Sequence, residues 1–247
     1  MAETGWQDQQ LSNPHRDTDK AAKVRSMFAA IAPKYDLNNR LHSFGIDQLW
    51  RRSLVRLAKP RAGESVLDVA TGTGDVALAF SRAGTRVMGV DFTPELLDRA
   101  IAKKTTRGTQ PAYVTGDATR LPVTDASFDI ASIAFGIRNV DRPERALAEF
   151  YRVLKPGGRL VILEFSTPTF PPIRWANRLY CEVIMPRTAA AIARDRVNAY
   201  KYLPASVATF LDREALVAEM TKAGFEAVIS KPLTFGVAML YRGDKPA

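Results

Sequence analysis

From residue 65 onward, short apolar runs alternate with amphipathic stretches, and this alternation limits the fold more than any other feature of the chain. Runs at 65–70, 85–90, 112–115, 128–134 and 159–165 have the length of strands, while 75–82, 94–104 and 143–154 carry apolar residues at helical spacing. Strand and helix in turn, at short spacing, build right-handed βαβ units and a parallel sheet. A helix at 212–223 and two further runs, 225–230 and 234–241, bring the strands to seven. The expected fold is α/β and Rossmann-like, a mostly parallel seven-stranded sheet with helices on both faces.

Ahead of the first strand, 17–33 reads as a helix with Val24, Met27, Phe28 and Ile31 on one side, stopped by Pro33. A second helix is expected at 47–58, with Asp47 as its N-cap and Leu49, Trp50, Leu54 and Leu57 as its apolar side. Residues 1–16 are polar, contain Pro14 and read as a disordered tail; 17–247 reads as one domain, of which 17–60 is a helical lid. Residues 167–204 break the alternation. They are rich in proline and aromatic residues and read as a helical insertion over the carboxyl edge of the sheet, above the active site.

Composition excludes several classes. A single cysteine, Cys181, rules out a disulfide framework and a CxxC metal site, and two histidines, His15 and His42, are too few for a His-based zinc centre, so no metal is expected. His42 is the histidine expected to be ordered. No apolar run approaches the ~20 residues of a membrane span, and the polar start MAETGWQDQQ lacks a signal-peptide pattern, so the sequence predicts a cytosolic chain. The net charge of +9 favours acidic partners such as an anionic membrane surface or a nucleic acid. The arginines are scattered and no nucleic-acid motif is present, so no nucleic acid is expected. A homodimer is compatible with the sequence and not required by it.

The central motif is Val66-Leu67-Asp68-Val69-Ala70-Thr71-Gly72-Thr73-Gly74-Asp75, which leaves a strand and opens a helix. Gly72 and Gly74 permit a tight turn and close approach of a ligand to the backbone. The run from Gly72 to Ala77 also satisfies the dinucleotide pattern GxGxxA, so charge must decide. A pyrophosphate favours a helix N-terminus free of anions, and Asp75 at that terminus with Asp68 behind it would repel one. S-adenosylmethionine has no phosphate and carries an ammonium and a sulfonium, which carboxylates suit. Asp91, with Phe92 after it, ends the next strand, where a carboxylate accepts both ribose hydroxyls of an adenosine. Asp117 and Ala118 follow the third strand, where a carboxylate and a backbone N–H can reach an adenine edge.

The sequence resembles the ubiquinone/menaquinone biosynthesis C-methyltransferase family. The likeness rests on Phe28-Ala29-Ala30-Ile31-Ala32-Pro33-Lys34-Tyr35-Asp36 with Ser43-Phe44-Gly45 and Trp50-Arg51, on Ala134-Phe135-Gly136-Ile137-Arg138-Asn139-Val140, and on the segment from Tyr151 to Ser166 that contains Lys155-Pro156-Gly157-Gly158. It implies a class I S-adenosylmethionine-dependent methyltransferase that methylates a ring carbon of a polyprenyl quinol, demethylmenaquinol or a ubiquinone precursor. It places the cofactor at Thr73, Asp91, Asp117 and Ala118. Three positions depart from the family pattern: Asn38 stands where a Met is usual, Asp47 where a His is common, and Ala134, beside the cofactor, where a Ser is frequent.

A carbon nucleophile needs its ring oxygen to become phenolate-like. Arg138 is expected to hold that oxyanion by charge-assisted hydrogen bonding, Asn139 to orient the oxygen or a water, and Tyr35 or Asp36 to supply a polar partner from the lid. Phe170, Trp175, Leu179 and Tyr180, with Arg174 and Arg178, are expected to meet the substrate's apolar tail and the membrane surface.

Overall fold

The computed structural model describes residues 6–7, 9–105, 107–185 and 198–247. Seven strands form one sheet: β1 (Ser65–Val69), β2 (Arg86–Asp91), β3 (Ala112–Thr115), β4 (Phe128–Ala134), β5 (Leu154–Phe165), β6 (Glu226–Leu233) and β7 (Ala238–Asp244). Their order is β3-β2-β1-β4-β5-β7-β6. The first five strands run parallel, and β7 lies antiparallel between β5 and β6. The chain turns one way out of β1 and the other way out of β4, so the sheet has its switch point between them.

The period-two pattern of the strands sorts their side chains into two cores. Leu67, Val69, Leu160 and Ile162 pack with Leu147 and Phe150 of α6 (Pro143–Val153) and with Leu216 and Met220 of α9 (Arg213–Lys222). On the other face Val66, Val161 and Leu163 pack with Trp50 and Leu54 of α3 (Ile46–Ala58) and with Val76 and Phe80 of α4 (Asp75–Arg82). Helices thus cover both faces, as the alternation predicts.

Local chemistry moves several boundaries. Gly45 caps α3 with φ +75°, so Asp47 lies in the first turn, where it meets Arg51 one turn on. At α5 (Pro94–Ala102) Thr93 is the cap by position, yet its hydroxyl makes no hydrogen bond; its N–H is bonded by Asp91 instead. The Lys155–Gly158 turn lies inside β5 as a bulge, which shifts the register between Phe128 and Ile130 of β4. The last strand starts at Ala238, because Phe235 takes a left-handed φ of +57°. α1 (Lys20–Ile31) is followed by α2 (Tyr35–His42), a helix with no counterpart in the sequence reading.

The expected disordered tail is the largest correction. Residues 6–7 and 9–16 lie against the lid and the second half of the insertion; the rest of the tail lies outside the described residues. Trp6 is 1% exposed and stacks on Tyr202 of α8 (Ala199–Thr209) at 4.6 Å. With Val24, Met27 and Ala199 these rings make a third core. His15 is ordered too: its Nε2 is 2.9 Å from the Ser206 carbonyl and its Nδ1 3.0 Å from Lys20 Nζ. Lys20 is buried and donates to the carbonyls of Arg138 at 3.0 Å and Val140 at 2.6 Å. Burial lowers its pKa to about 8. The first half of the insertion is α7 (Pro171–Leu179) and the turn Tyr180–Ile184, and residues 186–197 lie outside the described residues.

Trp6→Ala is expected to cost about 3 kcal/mol, read as a lower Tm and faster amide exchange in α8. An unchanged Tm would mean that the segment adds nothing to the fold.

Candidate functional site

Two cavities meet at the carboxyl edge of the sheet. The first, of about 210 Å³, opens at the switch point and is lined by Ala70, Gly72, Asp91, Phe92, Asp117 and Ala118, with Ala134, Gly136 and Asn139 opposite. The second, of about 290 Å³, is mainly apolar and lies under the lid and insertion, with Met27, Ile31, Trp50, Phe165, Tyr180 and Tyr202 among its walls. Phe28, Tyr35 and Phe135 line both.

The switch point imposes unusual backbone. Ala70 and Phe135, at the ends of β1 and β4, both take left-handed φ, +50° and +58°. Such conformations cost a non-glycine residue on the order of 1 kcal/mol or more. A Cβ on Gly136 would lie 2.6 Å from the Ala70 Cβ, so only glycine lets the two loops abut.

Most of the residues read as cofactor-binding converge on the smaller cavity. The buried Asp91 carboxylate accepts the Gly72 N–H at 2.8 Å and the Thr93 N–H at 2.9 Å. Each oxygen retains a lone pair, which two ribose hydroxyls can use. Desolvation raises the Asp91 pKa, against these backbone bonds. Asp117 is exposed at the far end and is fixed by the Thr119 N–H and hydroxyl. Phe92, Leu96 and Ala118 supply apolar surface for a base. A Cβ on Gly72, where φ is +57°, would project toward the Tyr35 ring 3.9 Å away, so the bare glycine backbone forms part of the cradle. Asp91, Asp117 and Asp141 face this cavity against Arg142 alone. That balance of charge suits a neutral or cationic nucleoside and opposes a pyrophosphate.

Other expected residues sit elsewhere. Asp68 and Thr73 lie behind the turn rather than on either cavity wall. Asp68 is buried and accepts the Thr71 hydroxyl at 2.6 Å and the Ser132 hydroxyl at 2.7 Å. Gly74 caps α4 in the left-handed region. Asp75 lines neither cavity: Lys103 Nζ lies 2.7 Å from its carboxylate and Gln48 donates to it at 3.1 Å. Lys103 also bonds Thr73 at 3.0 Å and pairs with Asp36 at 2.7 Å, and the Thr73 hydroxyl donates to Asp36. Asp36 therefore fastens the lid to the glycine turn and lines neither cavity. Lys103, past the end of α5, gave no motif signal.

On the acceptor side, Tyr35 spans both cavities, and burial raises its phenol pKa. At neutral pH it is a donor. Arg138 lines the larger cavity, but its Nη1 lies 2.5 Å from Glu164 and donates to the Phe135 carbonyl at 2.8 Å, while its Nε donates to Ser206 at 3.4 Å. Asn139 faces the cofactor cavity, where it donates to the Phe135 carbonyl at 3.2 Å and accepts the Tyr202 hydroxyl at 2.9 Å. The sequence reading missed Phe28, Phe135, Phe165, Arg51, Thr119 and Asp141, although the resembling segments contain the first two, Arg51 and Phe165.

Burial raises the Asp68 pKa from 3.8 to about 6, against the hydrogen bonds from Thr71 and Ser132. The folded state then holds this proton more tightly than the unfolded chain, so the folding stability falls as pH rises from about 4 through 6. Asp68→Asn lacks this titration. Relative to it, the natural protein is expected to lose on the order of 3 kcal/mol across that window, measured by urea unfolding at a series of pH values; parallel curves would contradict the assignment.

Comparisons with known proteins bear on the site as a whole. A demethylmenaquinone methyltransferase of Thermus thermophilus is 47% identical over 222 residues, covering 89% of this chain and 100% of that one. A Geobacter ubiquinone/menaquinone biosynthesis C-methyltransferase UbiE is 42% identical, covering 92% and 98%. Among solved structures, a methyltransferase of Thermotoga maritima described as a possible histamine N-methyltransferase superposes with a TM-score of 0.65 at 22% identity over 90% of this chain and 99% of its own, a likeness of fold alone. The ubiE/COQ5 methyltransferase family model matches residues 16–245. With nearly its whole length matched, the chain belongs to the ubiE/COQ5 methyltransferase family.

Proposed function

We propose that this protein transfers the methyl group of S-adenosylmethionine to a ring carbon of a polyprenyl quinol, with demethylmenaquinol as the acceptor. The observation that carries the reading is the pair of cavities with a common wall. One is acidic and sized for a nucleoside; the other is apolar and closed by the lid. The relative named a demethylmenaquinone methyltransferase, at 47% identity, favours demethylmenaquinol. The relatives named for ubiquinone as well as menaquinone biosynthesis support a second acceptor, a ubiquinone precursor, for which we take 2-polyprenyl-6-methoxy-1,4-benzoquinol.

When bound, S-adenosylmethionine supplies an already activated methyl group, so positioning provides much of the catalysis. Asp91 would hold the ribose hydroxyls, Asp117 and the Ala118 N–H the base, and Gly72 the close backbone approach. Phe28, Tyr35 and Phe135 would set the acceptor ring against the methyl carbon and keep water out. The Tyr35 phenol would donate to a ring oxygen. Arg138, matched in charge by Glu164, would fix the wall that carries Phe135.

Exposed apolar side chains on the lid and around α7 support contact with a membrane surface. Phe44 is 78% exposed and Trp175 69%, and Leu37, Leu41, Leu49 and Phe170 are exposed with them. The lid and the turn after α7 meet where the Tyr180 hydroxyl donates to the His42 carbonyl at 2.8 Å. Exposed apolar patches of this kind mark interaction surfaces, and Arg174 and Arg178 add charge that anionic lipid would attract. Among the described residues no helix is long and apolar enough to cross a membrane.

Two measurements test these readings. Incubation with methyl-labelled S-adenosylmethionine and each quinol, kept reduced, is expected to give ring-methylated menaquinol by mass spectrometry; label on neither quinol would refute the assignment. The protein is expected to sediment with anionic vesicles, and Phe44→Asp with Trp175→Asp to abolish this; equal sedimentation of both proteins would remove the membrane role.

A further inference from the structure

We propose that Arg51, rather than Arg138, is the cation that receives the ring oxygen of the acceptor as an oxyanion. The proposal rests on the methyltransferase reading above and adds a residue that touches the reacting ring. Both guanidiniums line the larger cavity. They differ in what already holds them. Arg138 is committed to the Glu164 carboxylate, the Phe135 carbonyl and Ser206, so its charge is cancelled where it stands. Arg51 is 9% exposed, and its buried Nε has no hydrogen-bond partner among the described residues. Its nearest carboxylate, Asp47, stands 3.5 Å from that Nε, beyond a good charge-assisted bond, and is itself taken by Ser43 at 2.8 Å and Gln48 at 2.9 Å.

A buried guanidinium nitrogen without an acceptor is costly. Here the missing acceptor matches what the chemistry would bring into the cavity. Arg51 lies over the Phe135 ring, 5.3 Å from its centroid, and Phe135 is common to both cavities. An oxygen at Arg51 would therefore hold the acceptor ring near the wall that faces the cofactor. The other charged or titratable groups around Arg51 are Asp47 on its own helix, Tyr35 and His42 from α2, Asp68 from β1, Asp75 from α4, and Arg138. Asp75 is paired with Lys103, and Tyr35 is neutral.

The step balances as follows. The quinol O–H breaks with its electron pair left on oxygen, and the proton passes to solvent water at the cavity mouth. As the methyl carbon bonds to the ring carbon, the carbon–sulfur pair stays on sulfur and the oxygen lone pair becomes a ring carbonyl. The proton on the methylated carbon then leaves to water, and its bonding pair restores the aromatic ring and the oxyanion beside Arg51.

The test uses Arg51→Gln and Arg51→Lys of the full chain. At neutral pH Arg51→Gln is expected to lower kcat about 10²-fold, with S-adenosylhomocysteine affinity by calorimetry within about twofold of the natural protein. Its rate should climb with pH as the quinol ionises unaided, and Arg51→Lys should recover part of the loss. A second readout needs no turnover. 4-Nitrophenol, bound with S-adenosylhomocysteine present, is expected to absorb as its phenolate in the natural protein at a pH where the free probe is mostly neutral, and to lose that shift in Arg51→Gln. Turnover of Arg51→Gln within twofold at every pH would overturn the proposal. So would a probe no more ionised in the natural protein than in water, a result that stands even if the glutamine variant fails to fold. If the natural protein methylates neither quinol, the functional reading fails, while the probe still judges Arg51.

Discussion

Everything at the carboxyl edge follows from two neighbouring parallel strands, β1 and β4, that send the chain in opposite directions. The crevice between their ends cannot be filled by either connection. It is kept open by strained backbone at Ala70 and Phe135 and by a glycine, Gly136, where the loops touch. Because Phe135 is held by its backbone rather than by packing alone, its ring can form part of two cavity walls at once. The sheet needs only its two flanking cores to exist; the site needs this one divergence.

Over the crevice lies a layer with a separate core. Trp6, Val24, Met27, Ala199 and Tyr202 pack with one another, with Phe92 of the sheet domain against them, and polar links join the layer to the crevice. Lys20 binds the carbonyls of Arg138 and Val140, and Tyr202 binds Asn139. Each link ends on the Phe135–Val140 segment, which Glu164 holds from below through the side chain and N–H of Arg138. Removing one partner of such a buried pair leaves an uncompensated charge, which costs far more than the pair contributes when intact. The segment is thus rigid for electrostatic reasons, and the ordered cover depends on it.

The strands were legible because their signal is local: period-two apolar runs closed by glycine, proline or aspartate. That Gly72, Asp91, Asp117 and Ala134 would share one cavity was legible for the same reason, since they sit at or just past strand ends, where topology alone gathers them. The acceptor side was less so, because its walls come from the lid, the insertion and the last hairpin, segments that only tertiary packing brings together. Trp6 looked like part of a polar tail because its partner, Tyr202, is far away in the chain. α2, Tyr-Asp-Leu-Asn-Asn-Arg-Leu-His, has too few apolar residues to announce a helix. The Lys103 partner of Asp75 was not legible, because nothing near Asp75 in sequence points to it. Asn38, buried on α2 with both amide atoms unpaired, has no structural explanation.

Lys103 touches Asp36 on the lid and both Thr73 and Asp75 on the glycine turn. A single ammonium therefore closes a ring of contacts, behind the cavity walls, between the lid and the glycine turn. If a ligand in one cavity tightened this ring, a ligand in the other would have to gain affinity by the same factor. Such a coupling would come on top of the direct meeting of methyl group and ring, and it would reside in one lysine.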